Sequence, residues 1–184
     1  MTPQFCIEPV AALERGGRMR LIIHDLEPGR FERLFAGQLG DLHVISPDAP
    51  IHHCLGCFGC WVKTPGACVI RDQYGDLGEL LASCQEVVII SRCCYGGFSP
   101  FVKNILDRSI SYIHPFFVNR NGEMHHRRRY NHQARLKVWF YGEVTEEEKV
   151  TARGLVAANA VNLWWDAAGV SFYRDISEME GEVL

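Results

Sequence analysis

Glu86-Val87-Val88-Ile89-Ile90-Ser91-Arg92-Cys93-Cys94-Tyr95-Gly96-Gly97-Phe98-Ser99-Pro100-Phe101-Val102-Lys103-Asn104-Ile105-Leu106-Asp107-Arg108 reads as a strand, a turn and a helix in succession. Val87, Val88, Ile89 and Ile90 are apolar without alternation, the mark of a strand covered on both faces. Ser99 offers a hydroxyl to cap a helix, and Pro100 fits the first helical position, where its missing N–H costs nothing. Phe101, Val102, Ile105, Leu106, Ile110 and Ile113 then make an apolar stripe at helical spacing. Between strand and helix, Gly96 and Gly97 leave the backbone free to turn tightly and to approach a ligand closely.

Strands and helices alternate on both sides of this stretch. Residues 19–24 form a short apolar strand, and 27–39 a helix with Phe31, Leu34, Phe35 and Leu39 at helical spacing. Residues 42–45 are a second strand, ended by Ser46-Pro47. A cysteine-bearing loop follows, then a compact helix over 76–84. Residues 136–141 are the fourth strand. Thr145 and Glu148 make a capping box for a helix that runs to about Trp164. Residues 170–173 are the fifth strand. Buried strands joined by crossover helices imply a parallel sheet covered on both faces. The expectation is one α/β domain over 19–184, a doubly wound three-layer sandwich with a five-stranded parallel sheet. Ligands bind such sheets beyond the carboxyl ends of the strands, at the topological switch point. That places residues 24–30, the cysteine loop, 93–99 and 142–145 around the site. Residues 1–18 end in Arg15-Gly16-Gly17-Arg18 and read as an added N-terminal extension, either a short helix over 9–14 or disordered chain.

Four of the eight cysteines, Cys54, Cys57, Cys60 and Cys68, fall within fifteen residues. Glycines keep this loop pliable, and Pro65-Gly66 forces a turn before the last thiol. Four readings stand. The thiols could hold a [4Fe–4S] cluster, because two-residue spacings let their sulfurs converge. They could hold zinc. Cys57 and Cys60 could be a redox pair. They could also be small packing residues. Cys93 and Cys94 end the third strand with side chains pointing opposite ways, so at most one faces the site. The net charge of −3 implies no general attraction to nucleic acid. No apolar run approaches the roughly 20 residues that span a bilayer, and Glu8 and Glu14 interrupt any signal-peptide pattern. A cytoplasmic location is expected, where clustered thiols read as metal-binding or redox-active.

Residues 114–130 carry His114, Asn121-Gly122, His125, His126 and Arg127-Arg128-Arg129. This insertion is expected near the ligand end of the sheet, as a lid for a nucleotide phosphate, a solvated loop or a dimer contact. His52 and His53 could add metal ligands or be plain loop residues. Trp139, Phe140, Tyr141, Trp164 and Trp165 read mainly as core, with any exposed subset a homodimer face.

The turn and helix over 93–108, with the Cys-x-x-Cys-x-x-Cys loop and Cys68-Val69-Ile70-Arg71-Asp72, resemble the flavodoxin-like NAD(P)H-dependent FMN reductase family, including its iron–sulfur flavoprotein branch. The resemblance covers residues 19–175 in outline. It implies bound FMN, with Tyr95, Gly96, Gly97, Phe98 and Cys94 at the isoalloxazine ring. It also implies NAD(P)H as donor, a quinone, free flavin or other small molecule as acceptor, and a homodimer or larger homo-oligomer. The iron–sulfur branch implies a cluster on Cys54, Cys57, Cys60 and Cys68, while Trp61-Val62-Lys63-Thr64-Pro65-Gly66 resembles members without one. Two places depart from the pattern. The phosphate loop is His24-Asp25-Leu26-Glu27-Pro28-Gly29-Arg30, in which Asp25 and Glu27 repel a phosphate and Pro28 lacks a donor. Cys93 stands where a proline is usual. An iron–sulfur electron carrier and a flavodoxin-like binding module that has lost FMN are the alternatives.

Overall fold

The first strand, β1 (Arg20–His24), buries Leu21, Ile22 and Ile23 completely, so it is covered on both faces. The computed structural model describes residues 19–40 and 42–184, and the expected extension over 1–18 lies outside them. After β1 come α1 (Arg30–Leu34), β2 (Leu42–Ile45), α2 (Gly59–Val62), α3 (Leu77–Ser83), β3 (Glu86–Arg92) and α4 (Pro100–Arg108). A 3-10 turn over Ile110–Tyr112 leads into β4 (Ile113–Arg120) and β5 (Glu123–Arg128). The chain closes with β6 (Arg135–Tyr141), α5 (Glu146–Leu163), β7 (Asp166–Tyr173) and a 3-10 turn over Ile176–Met179.

Five strands form one parallel sheet in the order β2-β1-β3-β6-β7. The expected five-stranded parallel sheet is therefore present, in an order compatible with a flavodoxin-like fold. Register fixes the two faces. Ile22 lies opposite Val88, and Val88 opposite Lys137. Side chains alternate, so Leu21, Ile23, Val87, Ile89, Val138 and Phe140 share a core with Leu81 of α3, Val102 and Ile105 of α4, and Val156 of α5. Ile22, Val88, Ile90 and Trp139 form the other core, with Leu26, Phe31, Phe35, Met179 and Leu184. Each fully buried aliphatic side chain contributes about 1.5–3 kcal/mol.

The helix starts follow the sequence. Ser99 Oγ accepts from Val102 N at 3.4 Å, ahead of Pro100. Thr145 and Glu148 exchange their capping bonds at 2.9 and 3.2 Å. Other boundaries move. The helix expected over 27–39 shrinks to α1, because Gly29 takes a left-handed φ of 69° and residues 25–29 form a turn. The last strand begins earlier, at Asp166.

The insertion after α4 corrects an expectation. It is an antiparallel hairpin of β4 and β5, turned by Asn121 and Gly122 at φ 55° and 87°, the left-handed pair a two-residue hairpin turn requires. It does not lie at the ligand end. Helix α4 carries the chain from the carboxyl edge of the sheet back to the amino edge, so whatever follows it sits there. The hairpin packs on the C-terminal end of α5. Arg120 donates to Val161 O at 3.2 Å, Trp164 Nε1 donates to His126 O at 2.9 Å, and the Arg120 guanidinium lies 4.6 Å from the Trp164 ring centre. Arg129 donates to Ser111 O at 2.8 Å. Arg120 and Arg129 are thereby engaged away from the carboxyl edge, and His126 meets the cysteine loop, its ring 5.1 Å from that of Trp61. Trp139, Phe140 and Trp165 are core residues. Among the described residues no helix is long and apolar enough to cross a membrane.

Candidate functional site

At the carboxyl edge, β3 ends in a tight turn closed by paired bonds between Cys94 and Gly97, at 2.9 and 2.8 Å. Tyr95 and Gly96 both hold left-handed backbone, at φ 52° and 76°. For a tyrosine that conformation is uncommon and costs about 1–3 kcal/mol. It throws the side chain clear of the protein: Tyr95 is 93 % exposed. Gly96 is required for a different reason from the one its sequence suggested. A Cβ there would meet Thr151 Cβ at 2.7 Å and Glu148 O at 2.9 Å, so its face is closed by α5. Phe98 turns inward and stacks on Phe140, with ring centres 5.3 Å apart. Cys93 and Cys94 are half-buried. Cys93 N donates to Tyr141 O at 2.9 Å, and burial pushes the Cys93 thiol up. The turn thus presents one aromatic ring, Tyr95, beside Cys94.

The neighbouring loop after β1 faces the same crevice, and three of its amides are already engaged. Asp25 N donates to Ile90 O at 3.3 Å, Leu26 N to His24 Nδ1 at 3.2 Å, and Arg30 N to Glu27 O at 3.0 Å. The Asp25 carboxylate spans to β3 and accepts from Arg92 N at 2.9 Å. Arg30 reaches toward Asp175, at 3.9 Å, on the C-terminal segment. A phosphate dianion here would meet a carboxylate and find three of its customary donors occupied. The loop therefore does not fit the phosphate of FMN, while the Tyr95 turn suits a planar ring. Burial, then the Asp25 carboxylate, pushes the Tyr141 hydroxyl well above its ordinary range. Beneath the loop, His24 stacks on Phe31 with ring centres 4.5 Å apart, and burial lowers its pKa to about 4. Its Nε2 is buried without a partner.

The cysteine loop lies against α4. Arg108 is fully buried and makes a bidentate pair with Asp72, at 2.7 and 2.8 Å, while its Nη1 also donates to His52 O at 2.8 Å. One turn earlier, Asn104 accepts from Cys54 N at 3.3 Å. Asp72 accepts from His52 N at 3.3 Å and from Tyr74 N at 3.0 Å, and hydrogen bonds from Arg108 hold its carboxyl below the usual range. The two stretches that carried the family resemblance are thus bound to one another. Sequence reasoning missed this clamp. The signal was two polar residues four apart, Asn104 and Arg108, on a helix side that also buries Val102 and Ile105.

Within the loop, Gly56 and Phe58 take left-handed backbone, at φ 61° and 55°. Trp61 anchors α2 by donating to Ile110 O and Ile113 O, at 3.2 and 3.0 Å. Cys54 and Cys57 are exposed, Cys60 is buried and Cys68 half-buried. Burial, then the neighbouring thiols with Cys68 foremost, pushes the Cys60 thiol up. The four sulfurs share a neighbourhood without converging: among the described residues, no three His, Cys, Asp or Glu side chains are grouped to hold one metal ion. His52, His53, Leu55 and Ile70 line a shallow depression beside them. No protein-family model matches this chain, and no curated protein matches it.

Proposed function

We propose that this chain is a flavodoxin-like, doubly wound three-layer module that works as an NAD(P)H-dependent oxidoreductase on a flavin ring taken up at the Tyr95 turn. The observation that carries the reading is Tyr95 itself. A strained left-handed residue holds an almost fully exposed aromatic ring at the end of β3, beside the crevice where the sheet order reverses between β1 and β3. Strain of this kind persists where the surroundings over-determine it, as at ligand sites. A bound flavin supplies hydride acceptance from nicotinamide and electron release to a quinone, free flavin or other small acceptor.

The protein's part is to bind and orient. Tyr95 offers a stacking face, worth about 0.5–1.5 kcal/mol per aromatic pair. Asp25 closes the crevice through Arg92 N and sets a carboxylate where a flavin phosphate would sit. The flavin is consequently a passing substrate rather than a resident group, and its ring rather than its phosphate is what the site selects. A second reading, an iron–sulfur electron carrier, is favoured by the way Asn104, Asp72 and Arg108 fasten residues 52–54 at the start of the four-thiol loop.

The test is an anaerobic assay with NADH or NADPH and added flavin, following flavin bleaching. Protein-dependent bleaching that saturates with flavin and weakens in Tyr95→Ala supports the first reading. A brown chromophore in the purified protein, lost on chelation, supports the second. A colourless protein that neither bleaches nor binds flavin rejects both.

A further inference from the structure

The fold of their loop runs the segment of Cys60 alongside the segment of Cys68. Lys63 N and Thr64 N donate to Gly59 O at 2.8 and 2.9 Å, and Gly66 N donates to Cys60 O at 3.0 Å, so the chain doubles back after α2. A Cβ on Gly59 would come within 2.6 Å of the Val69 side chain. Residues 59–60 therefore run beside 68–69, and among the thiols Cys68 acts most strongly on Cys60. The buried guanidinium of Arg108 is the second observation. Both its Nη atoms are engaged by oxygen, yet its Nε–H is buried with no acceptor. His52 O and the Asp72 carboxylate hold its Nη atoms, and the Cys68 thiol is a further side chain that acts on the guanidinium. A buried donor without a partner is costly, and a cysteine sulfur can serve it as a weak acceptor.

We propose that Cys60 and Cys68 form a dithiol–disulfide couple, positioned by Arg108 and oxidised by a low-molecular-weight disulfide of the glutathione class. In the first step the Cys68 sulfur attacks one sulfur of the small disulfide. A mixed disulfide forms, the small S–S bond breaks, and one small thiol leaves. The Cys60 sulfur then attacks the Cys68 sulfur, forming the internal S–S bond and releasing the second small thiol. The protein loses two electrons and two protons, and the two small thiols carry them away. Cys68 is the half-buried, accessible partner and Cys60 the buried resolving one. The couple uses two of the four sulfurs a cluster would need, so the disulfide and a four-thiolate cluster exclude each other.

The test equilibrates the protein as purified with graded ratios of oxidised to reduced glutathione. Free thiols are then alkylated, and the products are weighed and peptide-mapped. The expected product is lighter by two hydrogens, with its bridge mapped between Cys60 and Cys68. It should vanish in Cys60→Ser and Cys68→Ser and persist in Cys54→Ser and Cys57→Ser. Because Arg108 favours the reduced sulfur, Arg108→Lys should form the bridge at a glutathione ratio lower by about threefold or more. A bridge joining Cys57 to Cys54 or to Cys60, or no bridge at any ratio, overturns the couple. An unmoved midpoint in a folded Arg108→Lys variant overturns the role given to Arg108.

Discussion

Arg108 carries a permanent charge on a fully buried side chain, and Asp72 supplies the compensating carboxylate at 2.7 Å. Removing one partner strands the other. Arg108→Met is expected to lower the unfolding free energy by about 3–5 kcal/mol, and pairing it with Asp72→Leu should restore much of that loss. Urea denaturation of the two variants checks both statements. His24 gives a pH signature. Its folded pKa is lowered from 6.5 to about 4, so the unfolded chain binds more protons between those values. Stability is then complete above pH 6.5 and falls as the pH drops toward 4, with a total loss of about 3 kcal/mol from this residue. Urea melts across that window should show the slope, and His24→Asn, which keeps an acceptor for Leu26 N, should flatten it. At this scale the sequence was uneven. Ser99 with Pro100, and Thr145 with Glu148, were readable because capping is local. Arg108 was not, because its partner lies 36 residues away and nothing in the helix names it.

The turn between β3 and α4 ties the candidate site to α5. Gly96→Ala would place a methyl group 2.7 Å from Thr151 Cβ on a backbone of positive φ, so a destabilisation of about 1–3 kcal/mol is expected. Thermal or urea melts of Gly96→Ala against Gly122→Ala, where φ is also positive but the space is open, isolate the effect of the close approach. The glycines of this turn looked like ligand access in the sequence, because a glycine demanded by a packed helix and one demanded by a ligand read alike. The hairpin of β4 and β5 shows the same limit. Asn121-Gly122 announced its turn, but the destination of the insertion depended on which way α4 runs. A five-strand pattern was legible because runs such as Val87–Ile90 declare burial on both faces.

Across the whole molecule, the parallel sheet brings the ends of β1 and β3 to one crevice, and the two loops there have opposite character. One offers the exposed Tyr95 ring. The other offers the Asp25 carboxylate, with the amides of Asp25, Leu26 and Arg30 already bonded, where a flavin phosphate would need free donors. The central claim is that the site selects the ring of a flavin and gains nothing from its phosphate. Parallel fluorescence titrations of riboflavin and FMN, at one ionic strength, test it most directly. The account predicts affinities within about threefold of each other, riboflavin being the equal or tighter, and a loss of about three- to tenfold for both in Tyr95→Ala. FMN binding more than about tenfold tighter than riboflavin would mean a phosphate contribution of about 1.4 kcal/mol or more and would contradict it, as would failure of either flavin to bind.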